Sequence, residues 1–361
     1  MALAVIERGA RSWPLASAPK PSARRRCVAV ETPQLSVVIV NYCQWNNTAR
    51  LTAQLRDSEA MRRGAAEILI VDNHSPSHRL SRRLAKLSGV TVVKNRTNAG
   101  FAYAVNRGTN RSHGEWVLLL NPDVTVEPGF LDQVLENAQC FPAVDPKAGI
   151  VGFQLRNTDG TKQASAGVFP TMLRTFAGLL IPRSRRKCQH RTLEARQAVP
   201  WVTGGCFLVR RDCYEELQGM DESFFLYYED VDFCQRARQR GWSVWYEPAV
   251  RVIHHFPLHT RCVPPRLRLI TRHALLTYAK KHWAEWQTKL LSVTICLEAT
   301  AQQWLAARRN DAESVTAYTQ LLQLVDDLRR GRAGCAAATV HRVAQSLERI
   351  AAANDGQTAK G

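Results

Sequence analysis

Residues 116–126 read W-V-L-L-L-N-P-D-V-T-V. The five apolar residues that begin this stretch are too few to span a membrane, and they suit a strand buried on both faces of a parallel sheet. Because proline cannot donate to a sheet ladder, the chain must leave the sheet at Pro122, which puts Asp123 at the strand's C-terminal end. Ligands of open α/β sheets bind outside such ends, so Asp123 could hold a metal and phosphates. A plain Asn-Pro-Asp turn is the alternative.

Strand and helix patterns alternate around this stretch. Short apolar runs predict strands and i, i+3, i+4 apolar spacing predicts helices, so β-α-β-α order predicts a parallel, doubly wound sheet. The predicted strands are 35–41, 67–72, 90–94, 116–120, 206–210, 244–246 and 250–254. The predicted helices are 46–57 with Asn46 or Asn47 as cap, 78–87, 99–111, one that starts at Pro128, and 230–240.

Charge is the unusual feature of the composition. The 361 residues are 45% hydrophobic and 22% charged, which is ordinary, but the formal net charge is +18. An anionic partner is indicated, and nucleic acid, an anionic membrane surface and a phosphate-rich substrate all fit. The 10 cysteines include no C-x-x-C pair. Scattered cysteines without such pairs indicate neither a zinc site nor a disulfide framework, and they favour a reducing cytoplasm.

Three segments differ in pattern. Residues 1–34 are predicted to be a mobile basic tail without a secretory signal. Residues 35–260 carry the predicted sheet, together with a long excursion at 154–200 that includes a basic cluster at 183–187. Residues 261–361 are predicted to be a helical extension without a transmembrane span. Its basic residues permit amphipathic attachment to an anionic bilayer, and a helical cap or dimer surface is equally open.

Further polar groups stand where strands end or helices begin. Asp72 ends a strand and could accept hydrogen bonds from a ribose or base, or cap the next helix. Small residues at 99–104 would let a phosphate approach a helix N-terminus, although the spacing is neither a P-loop nor a dinucleotide fingerprint. His254 and His255 end the last apolar strand. They are either hydrogen-bonded structural residues or, with Asp123, part of a metal–diphosphate site.

The densest group of acids follows an aromatic run. Glu229, Asp230 and Asp232 come at the expected start of a helix, where the helix dipole alone could account for them. The aromatic residues at 224–228 could instead wall a pocket that binds a sugar face. Such a pocket would desolvate a carboxylate and raise its basicity for taking a proton from a hydroxyl.

Taken in order, these motifs resemble those of the inverting glycosyltransferase family two, and within it the rhamnosyltransferase-like members. The matching pieces are S-V-V-I-V-N-Y at 36–42, V-D-N-H-S at 71–75, N-A-G-F-A-Y-A-V-N-R-G at 98–108, L-L-N-P-D-V at 119–124, V-T-G-G-C-F-L-V-R-R at 202–211, F-L-Y-Y-E-D-V-D-F-C at 225–234, and the histidines at 254 and 255. The resemblance implies an α/β fold of the GT-A nucleotide-diphospho-sugar transferase type, with a doubly wound, mostly parallel sheet and a helical C-terminal extension.

The resemblance also implies a role for each site residue. Asp230 would be the general base and Glu229 would orient the acceptor. Asp123 and His254 would hold a divalent metal, Mg²⁺ or Mn²⁺, on the donor diphosphate. A dTDP- or UDP-linked sugar would contact Asn41, Tyr42, Asp72, Asn98, Gly100, Phe101, Asn106 and Asn121. A saccharide or lipid-linked acceptor would contact Gly204, Gly205 and Tyr228.

Three positions depart from the family pattern. Asp123 is the only carboxylate of its N-P-D motif, Cys43 stands where related chains often carry Asn, and F-P-L-H-T follows His255 in place of a glycine-rich turn with a serine. His259 or Arg261 would have to compensate for that last change.

The expected function is sugar transfer, with rhamnose as one candidate, in cell-envelope polysaccharide synthesis. The expected location is the cytoplasm, with peripheral contact at the inner face of the plasma membrane. A catalytically degenerate scaffold subunit is the alternative. A nucleotidyltransferase would need a triphosphate loop that 36–45 lacks, and no recognised nucleic-acid module accompanies the basic residues.

Overall fold

Strands and helices alternate in the computed structural model, which describes residues 32–180, 190–191, 193–255 and 263–358. The strands are β1 (Leu35–Asn41), β2 (Ala66–Asp72), β3 (Val90–Lys94), β4 (Trp116–Leu120), β5 (Val124–Val126), β6 (Ala148–Arg156), β7 (Lys162–Gln163), β8 (Ala166–Gly167), β9 (His190–Arg191), β10 (Gln197–Ala198), β11 (Trp201–Val202), β12 (Cys206–Arg210) and β13 (Ser243–His254). The helices are α1 (Trp45–Arg56), α2 (Glu59–Arg62), α3 (Arg79–Leu84), α4 (Phe101–Thr109), α5 (Phe130–Val144), α6 (Met172–Leu180), α7 (Arg211–Glu216), α8 (Glu229–Gln239), α9 (Pro265–His282), α10 (Glu285–Arg308), α11 (Ala312–Arg329) and α12 (Ala333–Thr358).

One 10-stranded mixed sheet carries the site. Its order is β10-β13-β6-β12-β4-β1-β2-β3, with β5 beside β13 and β7 beside β6, and β11-β8-β9 form a small second sheet. Strands β3, β2, β1 and β4 are parallel, as the alternating pattern predicts. Strand β12 then runs antiparallel to both β4 and β6, which makes the sheet mixed. The predicted α/β class is confirmed.

Strand β4 lies at the centre of this sheet, and its sequence explains why. Leu118 and Leu120 belong to the core on one face, whereas Val117 and Leu119 belong to the core on the other. A strand with apolar residues on both faces must be covered on both sides, since successive side chains alternate between faces. The apolar run at 116–120 therefore predicts that β4 lies inside the sheet and that both of its faces are buried.

Several predicted boundaries were wrong. Residues 244–246 and 250–254 form one strand, β13, because an irregularity between Glu247 and Arg251 lets the chain continue in the sheet. Helix α1 begins one residue before Asn46 and is preceded by Gln44, so neither Asn46 nor Asn47 is its cap. Helix α5 begins at Phe130 rather than Pro128, and α2, β5 and β6 were not predicted.

The C-terminal helices α9 to α12 pack around a core of their own, and this confirms the predicted helical extension. Phe225, from the loop before α8, is buried in the same core.

No helix within the described residues is long and apolar enough to cross a membrane. The cluster at 183–187, residues 256–260, Arg261 and the predicted tail up to residue 31 lie outside the described residues.

Asp232 ties α8 to the helical extension. Its fully buried carboxylate accepts hydrogen bonds from Arg236 Nε at 2.7 Å and His282 Nε2 at 2.7 Å, and Lys281 Nζ lies 2.9 Å away. Burial alone would raise its pKa, but the His282 hydrogen bond, Arg236 and Lys281 together lower the pKa to about 2, from a usual value of 3.8. Asp232 is therefore a structural anchor.

We expect Asp232→Asn to lower the free energy of unfolding at pH 7 by about 2 kcal/mol, because a folded pKa depressed by nearly two units is worth that much. The contribution is present above the unfolded pKa and is lost as the pH falls towards 2. Denaturant unfolding at pH 7 and pH 3 measures it. Asp212→Asn, which breaks only the exposed pair with Arg210, is the control and should cost less than about 1 kcal/mol. Equal losses in both variants would contradict the assignment.

Candidate active site

Asp123 and His254 lie side by side at the end of the central strands. Strand β5 pairs with β13 so that Val124 opposes His254, and the His255 N–H donates to the Asp123 carbonyl at 3.0 Å. This register puts His254 Nε2 3.5 Å from Asp123 Oδ2, with both side chains 13% exposed. The two residues predicted to hold a metal are thus neighbours, and both side chains are largely shielded from solvent.

Hydrogen bonds around His254 fix which of its ring nitrogens faces Asp123. Gln163 Nε2 donates to Asn157 Oδ1 at 3.0 Å, which leaves Gln163 Oε1 as the acceptor 2.8 Å from His254 Nδ1. Nδ1 therefore carries the proton in the neutral ring, and the lone pair of Nε2 points towards a carboxylate oxygen. Two electron-rich atoms at 3.5 Å repel each other unless a proton or a metal ion lies between them, and an imidazole nitrogen and a carboxylate are both ligands that a divalent ion accepts.

The protein supplies few donors at this position. Among the residues the structure describes, no group of three or more His, Cys, Asp or Glu side chains could hold a metal. An ion at Asp123 and His254 would need ligands from phosphate oxygens and water, which is the usual arrangement for Mg²⁺ bound through a substrate.

Asp230 lies in the first turn of α8 and is held by backbone amides. Its Oδ2 accepts the Gly204 N–H at 2.7 Å and its Oδ1 accepts the Val231 N–H at 2.8 Å. Burial raises the pKa of Asp230, against the lowering effect of these hydrogen bonds. A positioned carboxylate of raised pKa is suited to accept a proton from a hydroxyl group.

Gly204 and Gly205 join the Asp230 position to the Asp123 position. Gly204 donates to Asp230, while the Gly205 carbonyl accepts the Asn121 N–H at 3.1 Å. A Cβ on Gly205 would lie 3.9 Å from Cε1 of His254. Two successive residues therefore separate a candidate base from a candidate metal site, and a reacting molecule could touch both.

Glu229, beside the candidate base, is a buried carboxyl group. It is 5% exposed, and its Oε2 has no hydrogen-bond partner among the described residues. Burial first, and then the neighbouring Asp230 carboxylate, hold the pKa of Glu229 well above its usual range. A neutral Glu229 can donate a hydrogen bond where an ionised one could only accept.

The aromatic run before α8 is strained and mostly part of the core. Tyr227 and Tyr228 both adopt left-handed backbone conformations, with φ of 72° and 67°. Phe224 is fully buried, and the Phe225 side chain lies among the C-terminal helices, so the expectation that both wall a sugar pocket was wrong. Tyr228, predicted to contact the acceptor, packs against Tyr278 with ring centroids 5.5 Å apart, and burial raises its pKa to about 12.

The glycine at position 100 approaches protein rather than phosphate. Gly100 has φ of 96°, and a Cβ there would lie 2.6 Å from the Phe225 carbonyl oxygen. The Phe101 N–H donates to the same carbonyl at 2.7 Å, and the Gly100 N–H donates to Asn98 Oδ1 at 3.2 Å. These two amides at the start of α4 are occupied, so phosphate binding there was a wrong expectation.

Two other predicted nucleotide contacts, Asn41 and Asp72, lie at the C-terminal ends of β1 and β2. Asn41 and Asp72 are neighbours across β1 and β2, and the Asn41 amide donates to Asp72 Oδ1 at 3.3 Å. That oxygen also accepts the Ser75 N–H at 3.0 Å, so Asp72 stabilises a turn, while His78 caps α3. Asn41 is fully buried, whereas the adjacent Tyr42 is half-buried.

Asn106 lies apart from this group. Its amide donates to the Met220 carbonyl at 2.9 Å and to Glu222 Oε1 at 2.8 Å, and its Oδ1 accepts the Met220 N–H at 2.8 Å. All these bonds attach α4 to the turn before the aromatic run. The structure gives Asn106 a bracing role instead of the predicted nucleotide contact.

Two side chains near the site were not predicted. Gln163, which orients His254, lies in a two-residue strand within the segment that was read as an excursion. His341 of α12 has Nδ1 3.2 Å from the Asn98 carbonyl oxygen and its ring 5.0 Å from that of Phe225. No local motif accompanies either residue, and only the tertiary fold brings them to the site.

Comparison with known proteins gives a consistent result. The family model described as Glycosyl transferase family 2 matches residues 36–218. An N-acetylglucosaminyl-diphospho-decaprenol L-rhamnosyltransferase of Mycobacterium tuberculosis is 31% identical over 72% of this chain and 88% of its own. A low-salt glycan biosynthesis hexosyltransferase, Agl10, of Haloferax volcanii is 24% identical over 62% of this chain and 68% of its own. The rhamnosyltransferase WbbL of Escherichia coli is 23% identical over 46% of this chain and 62% of its own.

Proposed function

The chain belongs to glycosyl transferase family 2, and from this premise we propose that it transfers a sugar, with inversion, from a nucleoside diphosphate to a lipid-linked saccharide. Family membership confirms the predicted glycosyltransferase activity and GT-A fold. The observation that carries the proposal is the Gly204–Gly205 turn, which sets the Asp230 carboxylate beside the Asp123–His254 pair.

The first chemical step assigned to the protein is proton removal. Asp230 takes the proton of the acceptor hydroxyl as the oxygen attacks the anomeric carbon. The new C–O bond forms on the face opposite the breaking bond to the diphosphate, so a single displacement inverts the configuration. One carboxylate suffices, and burial gives it the raised pKa that this task requires.

The leaving group is held at the other side of the glycine turn. Asp123 and His254 would hold a Mg²⁺ or Mn²⁺ ion, which supplies electrophilic stabilisation of charge on the leaving diphosphate. Gln163 keeps Nε2 of His254 available for this ion. Asp72, Tyr42 and Asn121 lie at the adjacent strand ends, where the nucleoside would bind.

Glu229 is assigned to the acceptor. A neutral carboxyl with an unpaired buried oxygen can bond a second hydroxyl of the acceptor and so orient the attacking one. We also assign Gly204 and Gly205 to the acceptor contact, because Gly204 donates to the Asp230 carboxylate.

Donor and acceptor are proposed from the relatives. Two of them are named rhamnosyltransferases, and the name of the mycobacterial one specifies a diphospho-decaprenol acceptor. We therefore assign rhamnose, carried by dTDP, as the first donor to test and UDP-sugars as the second, in cell-envelope glycan synthesis at the membrane. We also propose 35–260 as the transferase domain and 261–361 as its helical extension.

Thermal shift with a panel of nucleotide-sugars tests donor binding. Purified protein is heated with dTDP-, UDP- and GDP-sugars, each with and without Mn²⁺ or Mg²⁺. We expect one nucleotide family to stabilise the protein, and only with metal, by a few degrees at concentrations about 100 times Kd. No stabilisation by any of them would contradict the proposal and favour the degenerate scaffold.

A further inference from the structure

Helix α10 has two opposite apolar faces. Leu291, Ile295 and Ala299 are buried in the core of the C-terminal helices. At 100° per residue, a second apolar row runs along the opposite side of the helix. An apolar row on a helix is normally buried against another element, and within the described residues this second row has no such cover. The row, called here the outer stripe, consists of Trp286, Leu290, Val293, Leu297 and Trp304.

The outer stripe is the main apolar surface of the described residues. Leu297 is 68% exposed and Trp286 is 60% exposed. Among the large apolar side chains in the described residues that are exposed, only Val144 and Leu173 lie outside α10. Scattered exposed leucines need no explanation, but a contiguous row of this kind marks a binding surface.

The chemistry of the outer stripe suits a lipid surface. Tryptophans stand at both ends, roughly 27 Å apart along the helix, with aliphatic side chains between them. An indole ring prefers the boundary between polar and apolar layers, and a helix lying in the membrane plane carries this pattern. The stripe itself offers no charged group for a protein partner to recognise.

Charge identifies the kind of lipid. Along and beside α10 the exposed bases are Lys280, Lys281, Lys289, Arg308 and Arg309, against three exposed acids, Glu285, Asp311 and Glu313, so bases are in excess. The Arg308 guanidinium lies 3.8 Å over the Trp304 ring, so a positive charge sits at the edge of the stripe. Each base near an anionic surface adds about 1 kcal/mol of attraction.

We propose that the outer stripe docks on an anionic lipid bilayer with α10 lying in the membrane plane. This deepens the proposed function and rests on it, because a lipid-linked acceptor must be met at a membrane. Docking would also orient the site, since the same helices surround Phe225 and bind Asp232 through His282.

Co-sedimentation of the full chain with phosphatidylcholine vesicles, with and without phosphatidylglycerol, tests the proposal. The variant combines Leu297→Glu with Trp304→Glu, and the control is Leu173→Glu, an exposed leucine on α6. We expect the wild type and the control to bind anionic vesicles, and the variant to bind at least about tenfold more weakly. If circular dichroism shows that the variant is unfolded, Trp286→Ala with Leu290→Ala replaces it.

Three outcomes would overturn the docking site. The first is equal vesicle binding by the variant and the wild type, and the second is no binding by either. The third is a wild-type dimer that the variant converts to a monomer in analytical ultracentrifugation without a change in vesicle binding, which would assign the stripe to a second copy. Metal-dependent thermal shift with nucleotide-sugar is measured on the same samples. If the metal-dependent thermal shift persists while vesicle binding fails, only the docking site is wrong. If the thermal shift is absent while the protein binds vesicles, only the proposed function is wrong.

Discussion

Asp230→Asn is expected to lower the rate of sugar transfer by about 10²- to 10⁴-fold, the usual contribution of a positioned general base. Asparagine keeps the size of the side chain and an oxygen that can accept the Gly204 N–H, but it cannot take a proton. The loss should therefore appear in kcat. Donor binding should remain, because the carboxylate lies on the acceptor side of the glycine turn.

The pH profile of the wild type gives an independent reading of the same group. Since burial raises the pKa of Asp230, transfer should fall as the pH is lowered through that raised pKa and the base becomes protonated. In Asp230→Asn this limb should disappear. Asp212→Asn, a substitution of an exposed acid at the start of α7, is the matched control and should keep both rate and profile. Full activity of Asp230→Asn would contradict the assignment of the base.

Asp123→Ala is expected to abolish metal-dependent donor binding and to reduce transfer by at least about 100-fold. Asp123 is the only carboxylate of its motif, so its removal leaves His254 as the one remaining member of the proposed pair. The loss of electrophilic stabilisation amounts to several kcal/mol. Calorimetric titration of Mn²⁺ in the presence of nucleoside diphosphate, followed by a transfer assay, measures both effects.

Gln163→Leu tests how much the orientation of the His254 ring contributes to metal binding, because it removes no proposed metal ligand. Without the Gln163 carbonyl, the His254 ring is free to turn or to change tautomer, and loss of such a support typically costs 10- to 100-fold in metal affinity. We expect a smaller loss than for Asp123→Ala, recovered in part at high Mn²⁺. An Asp123→Ala protein that still binds donor only with metal would show that the ion lies elsewhere.

The sequence predicts the centre of the fold well because burial on both faces leaves a local signal. Residues 35–41, 90–94, 116–120 and 206–210 have the bounds that their apolar runs predict. Strand β13 was divided in two because Pro248 and Ala249 interrupt its pattern, and only neighbouring strands keep that segment in the sheet. Pairing across the sheet has no local signature.

The site was predictable to the extent that its residues stand at strand ends and helix starts. Asp123, His254 and Asp230 satisfy that condition, and the fold brings them to one glycine turn. Gly100 was misread because a missing side chain shows that something approaches closely, without showing whether it is a phosphate or the Phe225 backbone. Gln163 and His341 act across long sequence separations, which no pattern of neighbours reveals.

The configuration of the new glycosidic bond tests the central claim most directly. The wild-type protein is incubated with the nucleotide-sugar that stabilises it and with a polyprenyl-diphosphate saccharide, and the product is examined by NMR. A single displacement with Asp230 as base predicts that the anomeric configuration of the product is opposite to that of the donor. A product that retains the donor's configuration would contradict the account, because it requires a route that the Asp230 and Gly204 arrangement does not provide.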